Sequence, residues 1–379
     1  MIDAELKIDV VIIGGGILGL LVARESKIRN PESEIVIFEE TSFLGDATSG
    51  RNSGVMHAGI YYEKDSLKQV LCRKGLALWR CLAPELGINF SQCGKFIFAD
   101  SHVLGEDSEA ILRELLVKAH NNGAKDVRIA TSSELKEIQA YCQASMALLS
   151  PSTGYLDVAS AIHALEREIT KLGVHIERRA KIKSLRTLPH NLIELNLDDY
   201  QVISQKVFNL AGHGAIPLRK TLGLVDLEPS LVKGLYLKYS GEFFKKSFLY
   251  PCPLKQLKGL GVHSTFDAHG TLRFGPNAFN VDNVSYEITE EMIEDLKHNI
   301  LKIFPFVDKT RLSPDYAGVR PKILHNGKLY GDFWVKGPLE LKIPGYFEVC
   351  GFESPGLTAA PALAQLLARY GLPFGSVQR

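Results

Sequence analysis

The hydrophobic positions near the start of the chain change period, and each change marks a predicted element. Residues 10–13 form an unbroken apolar run, VVII, which is typical of a strand buried on both faces. From Ile17 the apolar residues follow at helical spacing instead, at Leu20, Leu21, Ala23 and Ile28. A second apolar run, EIVIFEE at 34–40, predicts another strand. The order strand, helix, strand predicts a parallel sheet covered by helices.

Farther along the chain the same two patterns alternate. Helical spacing covers residues 64–82, 107–121, 133–141, 158–172 and 290–303, and a last helix is predicted from near Leu357. Strand-like runs are GKFIFAD, VHIERRAKIKSLRTL, LIELNLDDYQVISQKVFNLAG, LYLKYS, SFLYPCP, GLGVHST, TLRFGP and YFEVCGF. The runs between 231 and 285 are short and separated by turn residues, which predicts an antiparallel sheet. Residues 304–335 have a mixed pattern.

These elements predict two discontinuous domains without repeats or a flexible linker. The first, an α/β domain with a mainly parallel sheet, comprises residues 1–90, 150–215 and 335–379. The second, built on a mainly antiparallel sheet, comprises residues 91–149 and 216–334. The fold class is therefore α/β for the first domain and α+β for the whole chain. A chain of 379 residues is long enough for two such cores.

Composition narrows the classes of function. The formal net charge is +1, which gives no basis for a nucleic-acid partner. The chain enters its first strand almost at once, leaving no room for a secretory signal, so a cytoplasmic protein is expected. The segment EFFKKSFLYP at 242–251 could touch an anionic membrane surface as a peripheral contact, or be a solvated hairpin tip.

The six cysteines have no spacing typical of a metal site, so free thiols and no metal are expected.

The turn after the first strand carries the most specific motif. Gly14, Gly16 and Gly19 have the G-x-G-x-x-G spacing, which permits a sharp turn, close approach of a pyrophosphate, and tight packing of the helix on the strand. The N-terminus of the helix, at Ile17, would face the phosphates. Glu39, at the end of the second strand, would accept hydrogen bonds from an adenosine ribose. A dinucleotide is predicted, with NAD and FAD both open at this point; a purely structural turn is the alternative.

Two further segments favour FAD. The first, TSGRNSGVMHAGIYY at 48–62, offers Ser49, Arg51, Asn52 and Ser53 as donors to phosphate or ribityl hydroxyls; a solvated loop is the alternative. In the second, at the C-terminal corner, a helix N-terminus could stabilise negative charge on the reduced flavin ring, unless this is only an ordinary final helix. Further cofactor-binding candidates are Ile182, Ala211, Gly212, Gly351, Pro355, Gly356 and Leu357.

The chain resembles the D-amino-acid-oxidase-type superfamily of FAD-dependent oxidoreductases, and within it the L-2-hydroxyglutarate dehydrogenase/oxidase family. The residues that carry this resemblance are GGGILGL, SGRNSGVMHAGIYYEKDSLKQVLCRKG, SPSTGYLD, YPCP, GVHST, FGPNA and GVRPK. The run NSGVMHAGIYY is the most specific of them. Two positions depart from the family pattern: Arg51 replaces an expected histidine, and the corner reads SPGLTAAPA where SPAATSS is usual.

The resemblance implies a Rossmann-like FAD domain and oxidation of an L-2-hydroxy acid to the 2-oxo acid, by hydride transfer to flavin N5. The leading reaction is L-2-hydroxyglutarate to 2-oxoglutarate. A D-amino-acid or secondary-amine oxidase is the nearest alternative, and a flavin-binding regulator without turnover is a remote one. Oxygen, a quinone or a flavoprotein would receive the electrons.

This chemistry needs a base for the hydroxyl proton and a cation for the carboxylate. His57 is the leading base and His263 the second; the alternatives are a flavin-bonding histidine and a core histidine. Arg320 is the predicted carboxylate clamp, in a Gly-x-Arg-Pro context similar to that of the superfamily, with a surface salt bridge as the alternative. Further substrate-binding candidates are Tyr61, Tyr250 and Asn277, and Lys322 or Arg273 for a second carboxylate.

Overall fold

The structure, a computed structural model, describes residues 6–253 and 261–370. The strands in chain order are β1 Leu6–Ile13, β2 Ile35–Glu39, β3 Val55–Met56, β4 Phe90–Ser91, β5 Lys95–Ala99, β6 Arg128–Ile129, β7 Met146–Ser150, β8 Gly154–Leu156, β9 His175–Arg178, β10 Ser184–Leu188, β11 Leu192–Asn196, β12 Gln201–Asn209, β13 Leu227–Tyr239, β14 Phe248–Pro251, β15 His263–Phe266, β16 Leu272–Gly275, β17 Phe279–Val281, β18 Leu312–His325, β19 Lys328–Leu329, β20 Trp334–Lys336 and β21 Tyr346–Cys350.

The helices in chain order are α1 Ile17–Arg29, α2 Leu67–Leu86, α3 Ser101–Leu104, α4 Ser108–Asn121, α5 Ser132–Gln139, α6 Val158–Lys171, α7 Ala215–Thr221, α8 Glu290–Ile303, α9 Pro338–Leu341 and α10 Gly356–Tyr370.

The first sheet is parallel at its centre. Its strand order is β10-β11-β12-β1-β2-β9, and β21 pairs with the end of β12. β1 pairs in parallel with β2 and β12, and its residues Val11 and Ile12 are fully buried, as a strand covered on both faces requires. Helices α1, α2, α6 and α10 form one hydrophobic core with one face of this sheet. This is the predicted α/β architecture.

The second sheet is mainly antiparallel, as predicted. Its order is β19-β18-β13-β16-β15-β14-β5-β7-β6, with β17 beside β13, and the pair β14–β5 is parallel. Its two longest strands, β13 and β18, pair along their whole length, with one irregularity after Tyr236. Helix α8 packs on this sheet through Ile293, Leu296 and Ile300. A small third sheet, β3-β8-β4, lies in the segments that connect the two.

The strands of the first sheet come from residues 6–39, 175–209 and 334–350, and those of the second from residues 95–150 and 227–329. This distribution is compatible with the predicted domain limits, which stay a prediction.

Several local expectations need correction. The mixed pattern before Val335 contains β18, a strand of 14 residues. Two prolines interrupt the apolar alternation of this strand, and proline is unusual inside a sheet, so the sequence pattern did not predict it.

The helix predicted over 64–82 covers Leu67–Leu86. It begins at Leu67 because Ser66 accepts a hydrogen bond from the Gln69 N–H and caps the helix. Ile28 lies in the last turn of α1 and is 47% exposed, so it does not belong to the buried face. Of the run GLGVHST, residues 259 and 260 lie outside the described residues.

All six cysteines are unpaired, as predicted. Among residues 6–253 and 261–370, no helix combines the length and the apolar character needed to cross a bilayer.

The segment 242–251 packs its aromatic residues inward. Phe244 is 4% exposed, and Phe243 lies edge-on to Phe274 with 5.0 Å between the ring centroids. Only the charged residues of the turn, among them Lys245 and Lys246, are exposed. The exposed side chains of this segment are charged, which favours the solvated hairpin tip over the alternative of a peripheral membrane contact.

Candidate cofactor and active site

A cavity of about 1380 Å³ lies between the two sheets. The carboxyl ends of β1, β2, β12 and β21 open onto it, and residues of β13, β14, β15 and β18 close it from the other side. Ligands of open α/β sheets bind at this end of the strands. Every cofactor, substrate and catalytic candidate proposed from the sequence lines this cavity except Arg273.

The glycine motif forms the cradle that the sequence predicts. Gly14 has a φ of +107°, and a Cβ on it would lie 2.6 Å from the Leu210 carbonyl oxygen. A Cβ on Gly19 would lie 2.0 Å from the Gly14 carbonyl oxygen, so α1 could not pack against the turn. A Cβ on Gly16 would enter the space in front of the helix N-terminus, 2.9 Å from the Ser49 hydroxyl. That space suits a diphosphate, because it lies at the N-terminus of α1, where the helix dipole is positive.

Glu39 ends β2 at the edge of the cradle. Its Oε2 accepts a hydrogen bond of 2.9 Å from the Gly15 N–H, and its Oε1 accepts from the backbone and hydroxyl of Thr41. The carboxylate is therefore fixed in orientation while it still lines the cavity. Its remaining lone pairs can accept hydrogen bonds from the hydroxyls of a ribose.

The loop 48–62 divides its polar groups between the fold and the cavity. The Ser49 hydroxyl accepts a hydrogen bond of 3.0 Å from the Ile17 N–H and so caps α1 from a distance. Both polar atoms of the Asn52 side chain are hydrogen-bonded: Oδ1 accepts from the Gly54 N–H, and Nδ2 donates to the Ser49 carbonyl. Arg51 donates to the Asp46 carbonyl and lies 3.8 Å from the centroid of the Tyr286 ring. Asn52 thus shapes the loop, and Arg51 is held at its outer rim.

The remaining cofactor candidates belong to two parts of the cavity lining. Ala211 and Gly212 follow β12 and line the cavity together with Ile182. At the C-terminal corner, α10 begins at Gly356 and presents its first turn to the cavity. The Trp79 indole donates a 2.9 Å hydrogen bond to the Leu357 carbonyl and fixes this corner. A helix N-terminus at this wall favours negative charge on a bound ring.

His57 is buried close to this corner. Its Nε2 lies 3.3 Å from the Ser354 hydroxyl, and its Nδ1 is buried without a partner in the described chain. Burial, together with smaller electrostatic interactions with Lys95 and His263, lowers the pKa of His57 to about 3. The imidazole is therefore neutral throughout the physiological range.

His263 begins β15 on the opposite wall. Its Nδ1 lies 2.9 Å from the Gly261 carbonyl, which only accepts, so Nδ1 carries the hydrogen and Nε2 keeps its lone pair. The ring stacks on Tyr250 with 3.8 Å between the centroids. Burial and the positive charges of Lys95 and Arg320 lower the pKa of His263 to about 3, although the bond to Gly261 opposes this shift. His263 is thus a neutral imidazole with a defined acceptor nitrogen.

Arg320 lies on β18, opposite Val232 of β13. No carboxylate of the described residues pairs with its guanidinium, although it lines the cavity. Space for the guanidinium comes from Gly234, where a Cβ would lie 3.1 Å from Nη2. An unpaired guanidinium in a cavity is suited to bind a carboxylate with two hydrogen bonds.

The other predicted polar contacts differ in availability. The side-chain Oδ1 of Asn277 accepts a 2.9 Å hydrogen bond from the Leu235 N–H, and its Nδ2 donates to Asp295, so this side chain anchors a turn. Arg273 forms ion pairs with Asp267 and Asp315 and does not line the cavity. Arg273 is therefore not the second cation that the sequence analysis considered.

Lys322 also forms an ion pair. Its Nζ lies 3.0 Å from the Glu353 carboxylate, which accepts a second ion pair of 2.8 Å from Lys68. Burial opposes ionisation of Glu353, but these two ammonium groups outweigh it and lower the pKa of that carboxyl. Lys322 thus neutralises an acid in the cavity wall.

Sequence reasoning missed one functional candidate, Lys95. This side chain is fully buried on β5, and its Nζ donates a 3.2 Å hydrogen bond to the Tyr61 hydroxyl. The sequence feature that could have identified Lys95 is a single lysine within the apolar run GKFIFAD, because a charged residue is rare inside a buried strand.

A dinucleotide cradle beneath an antiparallel sheet that carries an arginine and a neutral histidine is the arrangement expected of a flavin-dependent oxidoreductase. Residues 9–370 match the family described as DAO, FAD dependent oxidoreductase. The chain belongs to this family and is an FAD-dependent oxidoreductase. The predictions of fold class, enzyme class and FAD are thereby confirmed.

Among its relatives, the chain is 30% identical over 412 residues to "L-2-hydroxyglutarate dehydrogenase, mitochondrial" of Arabidopsis thaliana, covering 96% of this chain and 83% of that protein. The protein of the same name from Pongo abelii is 30% identical, over 95% of this chain and 86% of its own length. The predicted cytoplasmic location stays a prediction beside these mitochondrial names.

Two solved structures share the fold. One is an L-alpha-glycerophosphate oxidase from Mycoplasma pneumoniae with FAD bound, at a TM-score of 0.87 and 22% identity, covering 96% of this chain and 94% of that one. The other is a glycine oxidase from Geobacillus kaustophilus, at a TM-score of 0.80 and 18% identity, covering 98% and 96%.

Proposed function

We propose that this enzyme oxidises an L-2-hydroxy acid to the corresponding 2-oxo acid, with L-2-hydroxyglutarate as the leading substrate. The observation that carries the proposal is that one cavity holds the cofactor cradle, the neutral imidazole of His263 and the Arg320 guanidinium, which forms no ion pair with any acid of residues 6–253 and 261–370. The names of the relatives, L-2-hydroxyglutarate dehydrogenase, support the same substrate class.

The residues present fit FAD. The glycine cradle and the N-terminus of α1 would hold the diphosphate, Glu39 the adenosine ribose, and the first turn of α10 the pyrimidine edge of the ring. When bound, FAD supplies the acceptor for the hydride, at N5 of its ring.

The chain's own groups would supply binding and proton transfer. Arg320 holds the carboxylate next to the reacting carbon, because its fork matches two carboxylate oxygens. His263 Nε2 takes the proton of the substrate hydroxyl, since Nδ1 already donates to Gly261. A carboxylate bound nearby raises the proton affinity of this imidazole above its value in the empty cavity.

This assignment makes His263 the base, whereas the sequence predicts His57 as the leading base and His263 as the second candidate. The two nitrogens of His57 are less available, because Nε2 contacts the Ser354 hydroxyl and Nδ1 is enclosed. His57 also donates its backbone N–H to the Thr358 hydroxyl over 3.0 Å, which ties it to α10. We therefore assign His57 to the positioning of the C-terminal corner.

A substrate panel with an artificial electron acceptor tests the proposal. The FAD-loaded protein is given L-2-hydroxyglutarate, its D enantiomer, L-lactate and a D-amino acid, and the organic product and ammonia are both measured. The proposal predicts turnover of L-2-hydroxy acids, greatest with L-2-hydroxyglutarate, and no ammonia. Turnover of the amino acid alone, with release of ammonia, would overturn it.

A further inference from the structure

The ammonium group of Lys95 is buried without a carboxylate partner. Its Nζ hydrogen-bonds to the Tyr61 hydroxyl and lies 4.6 Å from the ring centroids of both Tyr61 and Tyr250. Across the described chain, no acidic side chain forms an ion pair with it, in contrast to Lys68 and Lys322, which share Glu353. A desolvated cation without a counter-ion is unfavourable, so its presence needs an explanation.

The groups around Lys95 do not supply a negative charge. Five titratable side chains face it: Cys72 on α2, His57 and Tyr61 in the loop after β3, Tyr250 on β14, and His263 on β15. Burial raises the pKa values of Tyr61 and Tyr250 and brings that of Cys72 to about 12, so all three stay neutral. Burial also lowers the pKa of Lys95 to about 7.

This cluster lies directly behind the cavity wall. Tyr61, Tyr250 and His263 line the cavity, whereas Lys95 does not, so the ammonium is one side chain away from a bound ligand. His263 lies within electrostatic range of both Lys95 and Arg320. Two cations for which the described chain supplies no acidic partner therefore act on one histidine, and a ligand with two carboxylates would neutralise both.

We propose that Lys95 and Tyr61 together recognise the second carboxylate of a dicarboxylic substrate, while Arg320 holds the first. Because the Tyr61 oxygen accepts from Lys95, its own hydrogen is available to a group in the cavity. Tyr61 makes the contact, and Lys95 is a positioning residue that supplies the charge behind it. The inference rests on the proposed function, since it assumes that the anionic substrate binds in this cavity.

The proposal has a consequence for proton binding. A carboxylate close to Lys95 stabilises the charged ammonium and raises its pKa, so the empty site at about pH 8 takes up a proton when a dicarboxylate binds. At about pH 6 the ammonium is already charged, and little uptake follows. The pKa values of about 3 for His57 and His263 keep both rings neutral at the higher pH.

Calorimetric titration of the FAD-loaded protein measures this uptake without turnover. Glutarate, which lacks the reacting hydroxyl, is titrated in two buffers of different ionisation enthalpy. We expect up to about one proton per glutarate at about pH 8 in the unaltered protein, and close to none in Lys95→Met. Equal uptake in both proteins would overturn the proposal, as would equally tight binding of glutarate and butyrate.

Steady-state kinetics provides the second arm. L-2-Hydroxyglutarate is compared with L-2-hydroxypentanoate, which has the same chain length without the second carboxylate. Loss of a charge-assisted hydrogen bond predicts that Lys95→Met and Tyr61→Phe lower kcat/KM for the dicarboxylate about ten- to hundred-fold, mainly through KM. The kcat/KM for the monocarboxylate should fall at least about ten-fold less than that for the dicarboxylate, because it makes no contact with Tyr61 through a second carboxylate. Both activities of the control Lys246→Met, whose side chain is 75% exposed, should change less than about two-fold.

The outcomes separate the two proposals. An equal loss on both substrates would mean that Lys95 has only a structural role, and would overturn the inference. If no hydroxy acid is oxidised, the proposed function fails while glutarate binding still tests Lys95. Should Lys95→Met not fold, Tyr61→Phe carries the same prediction, because it removes the contacting hydroxyl and keeps the lysine.

Discussion

Replacing Arg320 by methionine removes the carboxylate clamp while keeping a side chain of similar length. Two charge-assisted hydrogen bonds are lost with the guanidinium, each contributing about 1.5–3 kcal/mol. A total of about 3–6 kcal/mol predicts that kcat/KM falls by roughly 10²- to 10⁴-fold. The free energy of unfolding should change by less than about 1 kcal/mol, because no described acid loses its partner.

The assay follows turnover of L-2-hydroxyglutarate by the FAD-loaded variant at a range of concentrations, with the flavin spectrum as a check on cofactor content. Arg311→Met is the matched control, since the Arg311 side chain is 55% exposed and, among the described residues, forms an ion pair with Asp308 alone, over 3.5 Å. It should retain the activity of the unaltered protein. If Arg320→Met also keeps its kcat/KM within about three-fold at full flavin content, another residue holds the carboxylate and the reasoning is wrong.

Three further predictions concern the cradle, the base and the buried lysine. Gly16→Ala places a methyl group 2.9 Å from the Ser49 hydroxyl, in the space for the diphosphate, and should weaken FAD binding at least about ten-fold in a fluorescence titration; unchanged affinity would refute the cradle. His263→Gln should lower the rate of flavin reduction by about 10²- to 10⁴-fold, and His57→Gln should lower it less; the reverse order would restore His57 as the base. Lys95→Met should raise the Tm of the FAD-free protein at about pH 7, because the pKa of Lys95 falls from 10.5 to about 7 on folding. Below pH 10.5 the unfolded chain binds the Lys95 proton more tightly than the folded chain does, which lowers the free energy of unfolding of the unaltered protein by at most about 5 kcal/mol. The gain in Tm of Lys95→Met should therefore shrink as the pH rises toward 10. A fall in Tm at both pH values would contradict it.

The cofactor half of the site could be predicted because its signals are local in the chain. Three glycines, a helix start and an acid at the end of the next strand follow one another within residues 14–39, and their geometry is that of the predicted turn. Arg320 could be proposed for a similar reason, since its neighbours form a short motif.

The charge pattern around the substrate could not be predicted, because it depends on contacts between distant segments. The environment of Lys95 is assembled from α2, β5, β14, β15 and the loop after β3, which only the fold brings together. In the same way, Arg273 and Lys322 were equivalent cations in the sequence, and their aspartate and glutamate partners exclude them only in three dimensions. The long strand β18 was hidden by its own prolines.

The order of the two histidines could not be predicted either. His57 lies in the most specific run of the sequence, which made it the leading base. The structure distinguishes the two by the partners of individual nitrogen atoms, since His263 Nδ1 donates to a carbonyl whereas His57 Nδ1 is enclosed. Such partners depend on backbone positions that no local motif specifies.

The most direct test of the central claim is anaerobic addition of L-2-hydroxyglutarate to the FAD-loaded protein. We expect the absorbance of oxidised flavin to disappear and one 2-oxoglutarate to form for each flavin reduced. The central claim would be contradicted if the flavin stayed oxidised with every L-2-hydroxy acid while a D-amino acid or a secondary amine reduced it.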